Sequence, residues 1–246
     1  MSKPRSGKQR IEAFNFRPGQ SLGRHYEVVQ KLGGGWEGEV YSIRERSTGI
    51  ERAAKFFFPH RNVGDKTART YANKLHKLRN CPILIQYHGQ DTVWFRNTEI
   101  TFLVSEYVEG ELLTEFLARQ PGKRLRPFAA IHLLHALASG MEEIHRRGEY
   151  HGDLHSENVI VLRHGLRFDL KLIDLFHWDA KETENIEEDV VDLVRIFYDA
   201  LGGAKHYANQ PPEVKAICCG LKRSLILKKF KTAGWLRAHL EAMEWS

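Results

Sequence analysis

The chain has 246 residues, a formal net charge of +6, 28% charged residues and 42% hydrophobic residues. This composition is typical of a soluble globular protein and excludes collagen-like, mucin-like and wholly disordered chains. The sequence contains no apolar run near the roughly 20 residues that span a bilayer, no secretory signal, and three cysteines without metal-ligand spacing. We therefore expect a cytoplasmic protein without a transmembrane segment, a disulfide framework or a zinc site.

The first part of the chain is predicted to be rich in strands. Residues 1–24 are polar and basic, which predicts a flexible tail. Short segments around glycine-containing turns then predict three strands, followed by a helix and two further strands. In chain order these elements are Tyr26–Leu32, Glu39–Arg44, Arg52–Phe58, Lys66–Leu78, Ile83–His88 and Ile100–Glu106.

The second part is predicted to be helical, because apolar residues recur there at three- and four-residue steps. The first of these helices begins at Pro127, a residue tolerated at the first helical position. Three more apolar stripes begin at Val190, Val214 and Leu236. A β-rich first part and a helical second part predict an α+β protein with two lobes, residues 25–108 and 109–246.

A glycine-rich turn separates the first two predicted strands. It reads Gly33-x-Gly35-x-x-Gly38-x-Val40. Glycine lets the backbone approach phosphate oxygens closely. A dinucleotide-binding fold would require a helix after the turn, whereas a strand follows here. The pattern therefore favours a hairpin that covers phosphates, and an ordinary glycine turn is the alternative.

Lys55 lies between Ala54 and Phe56 in the third predicted strand. A lysine on an apolar strand is unfavourable unless its charge is used. It is a candidate phosphate-binding residue, and the alternative is an edge-strand lysine whose ammonium group reaches water.

A third pattern combines Asp153, Asn158 and Asp174 around a pair of apolar strands. Phosphoryl transfer requires a carboxylate near the acceptor hydroxyl and oxygen ligands for Mg²⁺. These three residues supply such groups in the required order. They form the strongest functional signal in the sequence.

Together these motifs resemble the eukaryotic-like protein kinase superfamily, from Tyr26 to Trp245. The resemblance implies a bilobal fold that binds ATP and Mg²⁺, with a β-rich N-lobe that includes the hinge and a helical C-lobe. In it Lys55 holds phosphates, Asp153 is the catalytic base, and Asn158 and Asp174 bind Mg²⁺. The remaining nucleotide-binding residues that it implies are Gly33, Gly35, Gly38, Val40, Ala53, the gatekeeper Ser105, the hinge residues Glu106 and Val108, Glu111 near ribose, and Ile160 below adenine.

One departure from the family concerns the partner of Lys55. The family has a glutamate for this lysine in the helix after the third strand, but residues 66–78 contain none. Aligning the helix on its leucines puts Tyr71 or Ala72 at that place. Asp65 or another acid then substitutes, or phosphate alone positions Lys55.

The other departures lie around Asp153. Gly152 replaces an arginine that grips a phosphorylated activation loop, and His155 replaces a lysine, so His155 is a candidate proton donor to the transferring phosphate. Asp174-Leu175-Phe176 lacks the usual glycine. Only 14 residues separate Asp174 from Asp189, without an Ala-Pro-Glu motif, which predicts a shortened activation segment.

These features give one leading hypothesis and three alternatives. The leading hypothesis is a protein serine/threonine kinase with a minimal activation segment and a protein substrate. The His-Gly-Asp sequence also resembles small-molecule phosphotransferases, so a small hydroxyl compound is an alternative substrate. A pseudokinase that binds nucleotide or acts as a scaffold is another alternative. The basic residues between Lys222 and Lys231 would allow a nucleic acid or an anionic membrane as partner, but we do not expect nucleic acid because no base-reading motif accompanies them.

Overall fold

The computed structural model describes residues 10–165, 167–176 and 181–243. The chain divides into two compact units. Each unit consists of two segments of the chain. The first unit contains the chain up to His76 together with Gln86–Tyr107, and the second contains Lys77–Ile85 together with the chain from Val108 onward. The short stretch Lys77–Ile85 therefore belongs to the second unit, although the sequence placed it within residues 25–108.

An antiparallel six-stranded sheet, in the order β1-β2-β3-β4-β6-β5, forms the centre of the first unit. Its strands are β1 Ser21–Leu22, β2 Tyr26–Gly34, β3 Gly38–Glu45, β4 Glu51–Phe57, β5 Tyr87–Phe95 and β6 Thr98–Glu106. Helix α1, Lys66–Lys77, follows β4. The prediction of a strand at Ile83–His88 is wrong for its first four residues, because Leu84 instead forms an isolated bridge with Leu172 in the second unit.

One face of this sheet is covered by the segment Ile11–Phe16, which we call the N-terminal strap. Phe14 and Phe16 are buried, and the ring of Phe16 lies 5.0 Å from that of Phe56 on β4. The prediction of a flexible tail is therefore wrong for residues 10–24, and residues 1–9 lie outside the described ranges. Burying these aromatic side chains stabilises the unit by about 1.5–3 kcal/mol each, which outweighs the polar character of the segment.

Glu39 on β3 holds the strap in place. Its carboxylate accepts hydrogen bonds from the backbone N–H of Phe14 at 3.0 Å and from the Tyr41 hydroxyl at 2.6 Å, and it also pairs with the Lys31 ammonium. Burial alone would raise the pKa of Glu39, but hydrogen bonds from Lys31, Tyr41 and Phe14 outweigh burial and lower it. Glu39 is therefore a buried carboxylate that is stabilised in its charged form.

The second unit is mainly helical. Its helices are α2 Leu113–Arg119, α3 Pro127–His145, α4 Glu182–Ala200, α5 Ala204–Tyr207, α6 Pro212–Cys218, α7 Arg223–Lys229 and α8 Ala233–Glu241. A small sheet contains β7 Glu111–Leu112, β8 Val159–His164 and β9 Arg167–Leu172. The buried faces of α3 and α4 are the apolar stripes that the sequence predicted from Ile131 and Val190. Within the described ranges, no helix is both long enough and apolar enough to cross a membrane.

Candidate active site

The candidate residues form two groups, one in each unit. The first unit carries Gly33, Gly35, Gly38, Val40, Ala53, Lys55, Ser105 and Glu106. The second unit carries Val108, Glu111, Asp153, His155, Asn158, Ile160 and Asp174. The structure brings together members of each group.

Strand register places four residues of the first group on one face of the sheet. Val40 lies opposite Lys55, and Ala53 lies opposite Ser105. Directly opposed residues share a face, and so do residues two apart on one strand, such as Ala53 and Lys55. The N-terminal strap packs on the other face, against Tyr41, Phe56 and Phe102, so Lys55 lies on the face that the strap does not cover.

The three glycines Gly33, Gly35 and Gly38, where β2 turns into β3, differ in how much space surrounds them. A Cβ atom at Gly38 would lie 1.8 Å from the carbonyl oxygen of Phe56, so close contact with β4 requires glycine there. A Cβ atom at Gly33 or Gly35 would meet no described atom within 4 Å. The fold therefore requires Gly38, whereas Gly33 and Gly35 leave bare backbone at the surface of the loop.

Lys55 has a partner that the sequence pattern did not indicate. Its Nζ lies 3.0 Å from Oε2 of Glu37, in the glycine-rich loop, and 4.7 Å from the centre of the Tyr71 ring on α1. Asp65, the acid named as a possible substitute, instead accepts hydrogen bonds from Asn62 at 2.9 Å and Thr101 at 2.7 Å. The sequence does show an acidic residue, Glu37, next to Gly38. Its contact with Lys55 becomes visible only in the structure, where the loop runs beside β4.

In the second unit, Asp189 on α4 holds the loop that carries Asp153. Its buried carboxylate accepts hydrogen bonds from the backbone N–H groups of His151 at 2.7 Å and Gly152 at 3.0 Å. The same carboxylate lies 3.1 Å from Nε2 of His145. Because its partners include two backbone groups, Asp189 fixes the path of the main chain itself.

Asp153, His155 and Asn158 are brought together by this loop. Asn158 donates from Nδ2 to the backbone oxygen of Asp153 at 2.8 Å, and Nε2 of His155 lies 3.6 Å from Oδ2 of Asp153. The Asp153 side chain is 53% exposed. The Asp153 carboxylate is therefore accessible, and the Asn158 side chain is hydrogen-bonded to the backbone of Asp153.

Asp174 comes directly after Ile173, whose backbone is hydrogen-bonded to Asn158. The N–H of Ile173 donates to the Asn158 carbonyl at 3.0 Å, and the N–H of Phe176 donates to the His151 carbonyl at 2.8 Å. Asp174 has a φ of 57°, in the left-handed region that non-glycine residues rarely occupy. Strain of this kind persists only where the surrounding contacts impose it, and it is common at functional sites.

The donor set of Asn158 and Asp174 suits Mg²⁺. Asn158 uses its amide nitrogen on Asp153, which leaves its carbonyl oxygen as the ligand atom. Amide and carboxylate oxygens are the hard ligands that Mg²⁺ prefers, and this ion commonly takes one or two protein ligands together with water and phosphate oxygens. The described part of the chain holds no cluster of three or more His, Cys, Asp or Glu side chains placed for a metal, so any Mg²⁺ here would need phosphate ligands as well.

Gly152 cannot be exchanged for a larger residue without rearrangement. Its φ is 85°, and a Cβ atom there would lie 2.9 Å from the carbonyl oxygen of Phe176 and 3.0 Å from the Tyr150 ring. The glycine is therefore required by local packing. An arginine in its place, as in the family, would meet the same contacts.

Two other candidate residues of the second unit already have contacts. The Glu111 carboxylate forms a bidentate pair with Arg119, with one bond of 2.9 Å, so its contact with ribose stays a prediction. Ile160 lies opposite Leu112 in the small sheet. The roles of Ile160 and Val108 at adenine also stay predictions.

The segment after Asp174 is short, since α4 begins at Glu182. Residues 177–180, including Asp179, lie outside the described ranges. At the start of α4, Glu187 and Glu188 pair with Arg223 at 2.9 and 3.2 Å. These acids therefore balance part of the basic cluster of the chain itself, and Arg223 is engaged within the fold.

Comparison with known proteins assigns the family. A family model described as "Protein kinase domain" matches residues 26–199. The chain belongs to this family, which confirms the resemblance and the expected fold with a β-rich and a helical part.

Individual relatives agree with this assignment. The chain is 28% identical to cyclin-dependent kinase B2-1 of Oryza sativa, over 79% of this chain and 60% of that protein. It is 30% identical to human death-associated protein kinase 2, over 68% of this chain and 46% of the relative. The matched region thus spans less than two thirds of either relative.

A solved structure has the same fold. A double mutant of the PknI kinase domain of Mycobacterium tuberculosis matches with a TM-score of 0.66 and 19% identity, over 94% of this chain and 98% of that domain.

Proposed function

We propose that this chain is an ATP- and Mg²⁺-dependent protein serine/threonine kinase with a minimal activation segment. The observation that carries the proposal is the loop in which Asp189 fixes the backbone before Asp153 and Asn158 supports Asp153. Membership of the protein kinase domain family supports a protein substrate. Binding of nucleotide alone does not require an exposed carboxylate at Asp153.

The residues of the chain have distinct parts in this reaction. The backbone of the glycine-rich loop, together with Lys55, holds phosphate oxygens. Asp153 orients the acceptor hydroxyl and accepts its proton. Asn158 and Asp174 would hold Mg²⁺, which would neutralise charge on the phosphates. Most of the rate enhancement then comes from positioning and electrostatics.

His155 lies beside the catalytic carboxylate. Its Nε2 is 3.0 Å from Nδ2 of Asn158 and 3.6 Å from Oδ2 of Asp153. In the proposed reaction His155 occupies the position that the family gives to a lysine near the transferring phosphate.

A second candidate function is phosphorylation of a small hydroxyl compound. Two observations favour it, namely the tightly packed glycine at position 152 and the start of α4 only eight residues after Asp174. A short segment leaves little surface for docking a peptide. The two functions differ only in the acceptor, so one assay separates them.

The test is transfer from labelled ATP in the presence of Mg²⁺, with protein acceptors and small hydroxyl compounds offered in parallel. We expect labelled protein with the wild type and a loss of about 10³-fold or more with Asp153→Asn and Asp174→Asn. Asp169→Asn, an exposed acid of β9 paired with Arg167, is the matched control and should keep activity. Label on small compounds alone would select the second function.

Transfer that survives both substitutions would show that the site lies elsewhere. Absence of transfer, together with absence of ATP binding by the wild type, would identify a scaffolding pseudokinase instead.

A further inference from the structure

The ion pair between Lys55 and Glu37 joins a strand residue to the glycine-rich loop rather than to helix α1. We propose that Glu37 is the positioning residue for Lys55, in the part that the family gives to a glutamate on the helix. This proposal rests on the proposed function, because it concerns how Lys55 is presented to the phosphates of ATP.

The ion pair between Lys55 and Glu37 is largely buried. The Lys55 side chain is 13% exposed and the Glu37 side chain 15% exposed, with 3.0 Å between Nζ and Oε2. A largely buried ammonium group requires a partner, because the loss of hydration costs several kcal/mol. A charge-assisted hydrogen bond of this length provides one.

Helix α1 supplies a different kind of contact to Lys55. The sequence of α1, residues 66–77, contains no Asp or Glu. The Tyr71 ring of this helix lies with its centre 4.7 Å from Nζ, and the Phe57 ring of β4 lies 5.6 Å away. Aromatic faces attract an ammonium group but carry no net charge. Tyr71 therefore offers Lys55 an aromatic contact, whereas Glu37 of the loop offers it a carboxylate.

The tip of the loop is itself tied to β4 and to the turn after it. The Glu37 carbonyl accepts a hydrogen bond from the N–H of Phe58 at 2.9 Å, and the Trp36 ring lies 4.9 Å from the Arg61 guanidinium. Trp36 thus contacts Arg61, which follows β4, and Glu37 contacts Lys55 within β4. The loop residue that pairs with Lys55 is therefore itself held against β4 and the turn after it.

This pair is compatible with nucleotide binding. An ammonium group has three donors, so Lys55 can keep its bond to Glu37 and still donate to phosphate oxygens. The opposite arrangement, in which Glu37 competes with phosphate for Lys55, predicts tighter nucleotide binding when Glu37 is neutralised. The sign of the change in ATP affinity therefore decides between support and competition.

The experiment measures ATP·Mg affinity by calorimetry, and kcat and KM for ATP, in the wild type, Glu37→Gln, Tyr71→Glu and the double variant. We expect Glu37→Gln to raise Kd and KM for ATP about tenfold. The double variant, which places a carboxylate on the helix beside Lys55, should recover at least half of that loss on a logarithmic scale. Glu99→Gln, an exposed acid of β6, is the control and should leave both constants unchanged.

Rescue separates positioning from folding, because a purely structural role of Glu37 would not be restored from α1. If Glu37→Gln does not fold, Glu37→Asp keeps the charge and should give a smaller loss of affinity in the same direction. Unchanged or tighter ATP binding in a folded Glu37 variant overturns the proposal while leaving the proposed function intact. Absence of ATP binding in the wild type overturns the proposed function and, with it, this inference.

Discussion

The two groups of candidate residues are held in different ways. In the second unit, the loop before Asp153 is anchored through its main chain to one buried carboxylate, Asp189. In the first unit, Lys55 is held through side chains, by an ion pair with Glu37 and by the Tyr71 ring. A main-chain anchor fixes the path of the loop, whereas a side-chain pair also requires two long side chains to keep one geometry. We therefore expect substitutions to have severe effects in the second unit and graded effects in the first.

The largest expected effect follows from removing the main-chain anchor. Asp189→Ala would leave two buried N–H groups without their acceptor, at a cost of about 2–5 kcal/mol in the free energy of unfolding. We expect phosphoryl transfer to be abolished as well. Chemical denaturation and the labelled-ATP assay measure the two effects, with Asp199→Asn on the same helix as control. Near-wild-type activity in Asp189→Ala would show that this anchor does not hold the catalytic loop.

Crowding at Gly152 tests the same loop by a smaller change. Gly152→Ala adds one methyl group at a φ of 85°, against the Phe176 carbonyl and the Tyr150 ring. We expect a loss of about 1–3 kcal/mol in stability and a fall in kcat. Gly49→Ala is the control, since its φ is 75° and a Cβ atom there would meet no described atom within 4 Å. An equal loss in both variants would mean that φ alone, and not packing beside Asp153, is responsible.

Glu39 shows that the first unit also depends on one buried carboxylate, on the face opposite Lys55. Its pKa is lowered, because hydrogen bonds from Lys31 and Tyr41 outweigh burial. A lowered pKa stabilises the folded state above the ordinary pKa of glutamate, and the contribution is lost as pH falls through the folded value. We expect Glu39→Gln to cost about 1–2 kcal/mol at pH 7 and progressively less below pH ~4.5.

Urea denaturation of both proteins across this pH range measures the Glu39 effect. A difference in stability between wild type and variant that grows on acidification would contradict the expected direction.

The smallest expected effect concerns Thr183, in the first turn of α4. A kinase switched on by phosphorylation of its activation segment needs a cation to grip the phosphate, and Gly152 provides none. We expect Thr183→Ala to change kcat/KM by less than about twofold, as for an ordinary surface substitution. Steady-state kinetics and mass spectrometry of the purified protein check this. A large loss of activity, with phosphate found on Thr183, would contradict it.

Local patterns in the sequence predicted much of the fold. Strands β2, β3 and β4 are short segments with apolar residues that flank clear turns, and α3 and α4 carry long apolar stripes. The spacing of Asp153, Asn158 and Asp174 indicated the family, which the comparisons confirmed. The individual roles of these residues stay predictions until the assays are made.

The features that could not be predicted from the sequence depend on contacts between segments that are distant along the chain. Glu37 reaches Lys55 because the loop runs beside β4, a register that no local pattern encodes. Phe14 and Phe16 stand in a polar, basic segment without periodicity, and only the aromatic face of the sheet gives them a place to pack. Ile83 and Leu84 are apolar like a strand, but they belong to the second unit.

The N-terminal strap determines where a stable fragment of this protein can begin. The family match starts at residue 26, whereas the hydrophobic core of the first unit begins at Ile11. A fragment that starts at Tyr26 would leave Tyr41 and Phe56 without the rings that cover them and Glu39 without its backbone donors. Such a fragment would expose an aromatic sheet surface and tend to aggregate. We therefore expect a stable fragment of this chain to require the strap, which begins about fifteen residues before the start of the family match.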